Sequence, residues 1–283
     1  MRAKSYAKIN LSLDVISKRE DGYHNIETIM QKIELHDILE FEKINSGFEL
    51  YIDDKSLSCG EDNLIYKAWK ALCDYTGRSL PVKINVNKNI PVAAGLAGGT
   101  GNGAVTLKAL NKLYSLNLTE DELIRISVSL GADFPYMLKG STVLAEGIGE
   151  IMTEIDDFSD IPVIIVNPGY GISTKEVYEN LKLTDKKIKT DKIIENLKYK
   201  DVSRLENLLY NKMEESVFLN HSDIKEIKEK MQEFNAVSLM SGSGATVFGL
   251  FRNEEDLEAA YKYFAGLYKK TYKTFTVGGN DEF

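Results

Sequence analysis

The sequence predicts an α+β fold in two lobes. Its first quarter alternates apolar and polar residues, residues 62–76 switch to helical spacing, and beyond residue 160 short apolar strands alternate with helical stretches. A chain of 283 residues can bury a substantial core, as one large domain or two ordinary ones. The change of pattern places a division near residue 155, giving lobes 1–155 and 156–283.

Residues 5–16 set Ala7, Ile9, Leu11, Leu13 and Val15 on one face and Lys8, Asn10, Ser12 and Asp14 on the other, the signature of a half-buried strand. The run Arg-Glu-Asp-Gly at 19–22 reads as a turn, and strand-like runs follow at 26–33, 38–44 and 48–52. Leu64, Ile65, Ala68, Trp69 and Leu72 then recur at helical spacing, with Asp62 or Asn63 placed to cap the start. After a short strand at 82–86, a glycine-dense loop over 95–103 opens a helix through Leu107, Leu110 and Leu113. Thr119 with Glu122 three residues on forms a capping box.

The second half reads as a strand at 163–166 and helical stretches near 173–182, 191–199 and 203–216. Ile224, Ile227, Met231 and Phe234 mark a further helix, and strands at 236–239 and 246–251 flank the loop 241–244. Leu257, Ala260, Tyr261 and Phe264 mark the last helix, before a strand at 272–277. The basic stretch 184–192 reads as a solvated connector, and no internal repeat is present.

Composition narrows the function. The net charge of −8, from 43 acidic and 35 basic residues, argues against a general nucleic-acid surface but leaves room for one anionic pocket. Cys59 and Cys73 build no disulfide framework and read as reduced thiols. His24, His36 and His221 have no metal-ligand spacing, so no fixed transition metal is expected. The N-terminus lacks an apolar signal core, and no run reaches the roughly 18 apolar residues of a membrane helix. The expectation is a cytoplasmic protein with no membrane or nucleic-acid partner, as a monomer or a homodimer.

The strongest local signal is Pro91-Val92-Ala93-Ala94-Gly95-Leu96-Ala97-Gly98-Gly99-Thr100-Gly101-Asn102-Gly103-Ala104, five of whose residues from 95 to 103 are glycine. Glycines let a backbone approach a ligand, and free N–H groups at a helix start suit a phosphate. A flexible surface loop is the bland alternative. No Gly-Lys-Ser/Thr follows, so this is no P-loop, and a His-Arg-Asp catalytic loop is absent.

Read with what precedes and follows it, this loop resembles the phosphate-binding motif of the GHMP kinases. Ala7-Lys8-Ile9-Asn10-Leu11 resembles that family's first motif, and Met240-Ser241-Gly242-Ser243-Gly244-Ala245-Thr246-Val247-Phe248 its glycine-rich third. Asp21-Gly22-Tyr23-His24 and Gly131-Ala132-Asp133-Phe134-Pro135 resemble the members that act on 4-diphosphocytidyl-2-C-methyl-D-erythritol. The five segments stand in family order from residue 4 to about 251. One departure is Thr100-Gly101-Asn102-Gly103-Ala104, where the family carries Ser-Ser-Asp/Asn-Ala-Ala; glycines there cost a helix about 1 kcal/mol each.

The resemblance implies a lobe like ribosomal protein S5 with a left-handed βαβ unit, a ferredoxin-like C-terminal lobe, and a site between them. It implies transfer of the γ-phosphate of ATP to the substrate's 2-hydroxyl, in non-mevalonate isoprenoid biosynthesis. Mg²⁺ would enter with ATP, near Thr100. Locally, Asp133 reads as a helix cap or a turn residue and Lys8 as a solvated lysine; the resemblance makes them the catalytic pair. Asn10, two residues on from Lys8, would reach the same site. Tyr23 and His24 read as a packed pair or, by resemblance, as the holders of cytosine, with Tyr178 as the opposite face of that sandwich. Gly242, Ser243 and Gly244 read as a hairpin turn or a loop closing on substrate. Asn63 and Lys88, with Pro91 to Gly101, match nucleotide contacts, although Asn63 also suits a cap. Two rivals remain open: a GHMP kinase for homoserine, mevalonate or a sugar, and a non-catalytic nucleotide-binding regulator.

Overall fold

The computed structural model describes residues 1–183, 188–279 and 282–283. The first lobe runs through strands β1 (Arg2–Lys18), β2 (His24–Lys43) and β3 (Phe48–Ile52), helix α1 (Leu64–Thr76) and strand β4 (Val82–Asn87). Helices α2 (Gly98–Leu113), α3 (Glu120–Ser127) and α4 (Phe134–Lys139) and strands β5 (Thr142–Gly147) and β6 (Ile151–Glu154) follow. Its sheet has the order β3-β4-β2-β5-β6, with β1 paired to β2. All pairs are antiparallel except β3 with β4, which α1 connects as a parallel βαβ unit.

The second lobe contains β7 (Pro162–Asn167), α5 (Thr174–Glu179), α6 (Thr190–Leu197), α7 (Glu214–Asn220), α8 (Ser222–Glu233), β8 (Val237–Met240), β9 (Val247–Leu250), α9 (Glu254–Leu267) and β10 (Lys270–Phe275). Its four strands form an antiparallel sheet in the order β10-β7-β9-β8. A shared core joins the lobes. Ala7, Ile9 and Leu11 of β1 and Ile29 and Ile33 of β2 pack with Val163, Ile165, Phe248 and Leu250, and Leu96 of the glycine loop is buried among them.

Local signals settle several elements. Asn63 caps α1 by accepting from the Ile65 amide, and Thr119 and Glu122 complete their capping box on α3. Five expectations need correction. The runs 26–33 and 38–44 are one strand, β2; buried Asp37 is tolerated because its carboxylate accepts from the Asn89 and Ile90 amides. The run 203–216 is no continuous helix. Leu13 donates to the Tyr210 carbonyl and accepts from the Lys212 amide, both at 2.8 Å, so this segment pairs with β1 and α7 starts only at Glu214. Residues 134–154, given no element from the sequence, hold α4, β5 and β6; residues 134–138 of α4 are all buried, so α4 shows no polar face. Of the supposed connector 184–192, residues 184–187 lie outside the described residues and α6 begins at Thr190.

Finally, β1 is not half-buried: Lys8, Asn10, Ser12 and Asp14 are buried as completely as their apolar neighbours. Its simple alternation also breaks at a bulge. Asn10 pairs with Met30 but Ser12 with Ile29, leaving Leu11 as the extra residue. Near the C-terminus, Glu282 is buried against Lys32 and Lys108 of the first lobe, at 3.1 and 2.9 Å.

Candidate active site

The bulge organises the floor of a cleft of about 1050 Å³. Cross-strand partners share a face of a sheet. Leu13, opposite Thr28, therefore turns to the cleft beside Lys8, Asn10, Thr28 and Met30, while Ser12 turns away and accepts from the Ile29 amide. Lys8 Nζ donates to Asn10 Oδ1 at 2.7 Å and stands 3.9 Å from Asp133 Oδ2. Asn10 Nδ2 donates to Thr28 Oγ1 at 2.8 Å, and Thr28 donates to the Ser12 carbonyl at 2.6 Å.

Asp133 occupies the N-cap position of α4, yet its side chain makes no cap bond. Its carboxylate is 41% exposed and lines the cleft opposite the buried lysine. The cap reading of Asp133 therefore fails, and that of a solvated Lys8 fails with it.

The glycine loop forms one wall. Gly95 has φ +74°, and a Cβ there would run into the Ser241 carbonyl oxygen. Ala97 precedes α2 with φ +56°, and no side chain caps the helix. Its first N–H groups and the positive end of its dipole are thus left for a ligand. Pro91, Val92, Ala93, Ala94, Gly95, Ala97, Gly98, Gly99 and Thr100 line the cleft. Leu96 and Gly101, expected beside them, do not. Leu96 is buried in the core between the sheets, where its carbonyl accepts from the Lys8 amide, and Gly101 packs against Ser5, Tyr6 and Met137. Asn102 lines the cleft and its Oδ1 is buried without a hydrogen-bond partner.

Asn63 and Lys88 also line the cleft, but the fold already engages both. Asn63 caps α1 through Oδ1 and donates through Nδ2 to the Ser58 carbonyl at 2.7 Å. The Lys88 ammonium is paired with buried Asp37.

At the other end, Tyr23, His24 and Tyr178 all line the cleft, but they do not form a slot. His24 and Tyr178 stack directly on one another, with centroids 4.7 Å apart and planes 17° from parallel, while Tyr23 projects 61% exposed at the lip. The stack buries the ring faces of His24 and Tyr178 on each other. Burial, helped by the charge of Lys18, holds the His24 imidazole below its usual range. Burial and the Asp133 charge push the Tyr178 phenol up to about 12.

The loop 241–244 closes the cleft from the second lobe. Ser241 Oγ donates to the Gly95 carbonyl at 3.0 Å, and Ser243 and Thr174 join their hydroxyls at 2.8 Å. Asn211 Nδ2 donates to the Met240 and Gly242 carbonyls at 2.7 and 2.8 Å, tying this loop to the segment beside β1. Gly242, Ser243 and Gly244 all line the cleft. Sequence reasoning missed Thr28, Asp37, Thr174 and Asn211. No local pattern marks them, because each acts on a partner at least 15 residues away in the chain. Among the described residues no cluster of His, Cys, Asp and Glu is arranged to hold a metal, and both cysteines are free thiols.

This geometry can be set beside known proteins. The family models "GHMP kinases N terminal domain" and "GHMP kinases C terminal" match residues 63–141 and 193–270. Curated relatives named 4-diphosphocytidyl-2-C-methyl-D-erythritol kinase include those of Clostridioides difficile (strain 630) and Clostridium novyi (strain NT). The first is 44% identical over 96% of this chain and 94% of the relative; the second is 42% identical over 97% and 99%. A crystal structure of 4-(cytidine 5'-diphospho)-2C-methyl-D-erythritol kinase superimposes with a TM-score of 0.86 at 29% identity, covering 99% of this chain and all of that one. A homoserine kinase from Cytophaga hutchinsonii ATCC 33406 shares the fold at a TM-score of 0.78 and 14% identity, covering 98% and 94%. The chain therefore belongs to the GHMP kinases and, within them, to the family whose curated members are named 4-diphosphocytidyl-2-C-methyl-D-erythritol kinase.

Proposed function

We propose that this protein transfers the γ-phosphate of ATP to the 2-hydroxyl of 4-diphosphocytidyl-2-C-methyl-D-erythritol, in the non-mevalonate route to isoprenoid precursors. The full-length relatives carry the name of this activity. The observation in the fold that carries it is the pair Lys8 and Asp133, 3.9 Å apart on the floor of a cleft walled by the uncapped start of α2.

Phosphoryl transfer to an alcohol asks the protein to hold phosphates, orient a hydroxyl and stabilise charge. Asp133 accepts the 2-hydroxyl proton on its exposed carboxylate. Lys8 keeps a positive charge beside that carboxylate and the developing alkoxide. Asn10 and the loop 242–244 hold the reacting end of the alcohol, and Tyr23, His24 and Tyr178 hold cytosine once it parts the His24–Tyr178 stack. Residues 91–100 cradle the phosphates through backbone N–H groups, with Asn63 and Lys88 at the nucleotide end.

The partnerless Asn102 Oδ1, beside Thr100 and the start of α2, fits a hard cation or a donor supplied by a ligand. Thr100 and Asn102 would hold Mg²⁺ with the nucleotide, and the ion would supply neutralisation of phosphate charge. We read residues 1–155 and 156–283 as the two lobes flanking this cleft and place the reaction in the cytoplasm. No helix among the described residues is long and apolar enough to cross a membrane. Neither nucleic acid nor membrane is a partner in this reading, and the chain acts as a monomer or a homodimer.

The test is ADP release from ATP, Mg²⁺ and the cytidylated alcohol, with wild type and Asp133→Asn compared. Turnover that needs the alcohol and collapses in the variant is expected. Turnover with homoserine, mevalonate or a sugar instead would keep the fold and overturn the substrate. Binding of ATP with no turnover of any alcohol would favour a regulator.

A further inference from the structure

Thr28 belongs to none of the motifs, yet it is 1% exposed on the cleft floor and sits between the bulge and the reacting groups. A threonine hydroxyl has one proton to donate and lone pairs to accept with. Thr28 gives its proton to the Ser12 carbonyl at 2.6 Å, directly after the extra residue Leu11. It can therefore only accept from Asn10, and Asn10 meets it with Nδ2 at 2.8 Å. An amide has a donor end and an acceptor end, so this turns Asn10 Oδ1 toward Lys8 Nζ, 2.7 Å away. An ammonium has three donors and no acceptor. Flipping the Asn10 amide would set two donors against each other at Lys8 and two acceptors against each other at Thr28. The chain of bonds has one allowed direction, from Lys8 through Asn10 and Thr28 to the Ser12 carbonyl.

The geometry points to Thr28 as a positioning residue for the phosphoryl transfer, one that fixes the Asn10 amide and through it aims the Lys8 ammonium at Asp133. This rests on the catalytic roles given above to Lys8 and Asp133. Thr28 does the aiming without touching either of them, and its branched Cβ restricts the hydroxyl to few rotamers. Thr28, two residues from Asn10's partner Met30, shares the face of Asn10, and the bulge is part of the device because it turns the Ser12 side chain away while the Ser12 carbonyl accepts from Thr28.

The experiment compares wild type with Thr28→Val, Thr28→Ser, Asn10→Ala and the double variant Thr28→Val/Asn10→Ala. Valine keeps the shape and loses the hydroxyl. Thr28→Val should lower kcat about 10- to 100-fold with the KM for ATP unchanged, since misaiming a catalytic group costs rate rather than remote binding. Thr28→Ser should stay within about threefold of wild type. Thr28→Val should cost nothing further once Asn10 is Ala, because the two act in series. A kcat within threefold of wild type for Thr28→Val, or an undiminished loss on the Asn10→Ala background, would overturn the proposal. A second readout needs neither turnover nor a folded valine variant. The Asn10 side-chain amide protons of wild type and Thr28→Ser should be protected from hydrogen exchange by NMR; exchange as fast as an exposed amide would overturn the positioning role. If wild type phosphorylates no alcohol while Asn10 is protected, the proposed reaction fails and the fixed amide stands.

Discussion

A Cβ on Gly103 would stand 2.6 Å from Cζ of Phe134, so a ring of α4 fills the space that a side chain on α2 would take. Gly101 is similar: a Cβ there would meet Ser5 Oγ at 2.8 Å and Met137 Cε at 2.9 Å. The two glycines that depart from the family pattern are where α4, and with it Asp133, comes close to the start of α2. Gly103→Ala should lower stability by about 1–3 kcal/mol, despite the better helix propensity of alanine. Urea unfolding measures this. The cost should shrink when Phe134 is Leu, and an equal cost in both backgrounds would show that the ring is not its source.

Lys8→Met should abolish the charge beside Asp133 while nearly keeping side-chain volume. We expect kcat to fall about 10²- to 10⁴-fold with ATP affinity little changed. Steady-state kinetics and nucleotide titration together check it. A variant that loses ATP binding instead would place Lys8 in the nucleotide site.

The pH dependence of substrate binding follows from His24. Burial, then the Lys18 charge, lowers its pKa below the ordinary value of 6.5. Where the folded pKa is depressed, the unfolded chain binds more protons, so the stability from neutral His24 is present above pH 6.5 and lost as pH falls through the folded value. If the neutral ring holds cytosine, the KM for the cytidylated alcohol should rise over that same acid range. His24→Gln should flatten this limb of the KM–pH profile; an unchanged limb would assign it to another group.

Glu282 brings the last turn of chain back to the first lobe, between Lys32, which is 1% exposed, and Lys108. Glu282→Gln removes the carboxylate that Lys32 and Lys108 share and should lower the urea midpoint of unfolding. Adding Lys32→Met should recover part of that loss. No recovery would mean that the carboxylate serves Lys108 alone.

Much of this protein was legible as local pattern. Asn63 at its cap, Thr119 and Glu122 in their box, and the glycine run before α2 each act within a few residues, which is the range over which side chains bond neighbouring backbone. The same locality explains why the glycine run could be read as a loop that opens a helix, as α2 does at Gly98. Where local pattern misled, a distant partner intervened. Alternation predicted one apolar face for β1, but pairing with β2 inserted a bulge at Leu11 and turned Leu13 to the cleft. Helical spacing at 203–216 yielded to pairing with Leu13. Lys88, read as a nucleotide contact, lines the cleft, but nothing local signalled its pairing with Asp37, 51 residues away.

The sequence by itself determined the α+β class and the glycine loop that opens a helix, because strand and helix periods and glycine backbones are properties of short segments; Lys8 and Asp133 stood out only through resemblance to the family's motifs. Only the tertiary structure decided that Lys8 is buried rather than solvated, that the Asp133 side chain makes no cap bond, that His24 stacks on Tyr178, and that Thr28 meets Asn10. Each of these depends on groups brought together across strand pairing and the packing of two lobes, and no window along the chain contains both partners.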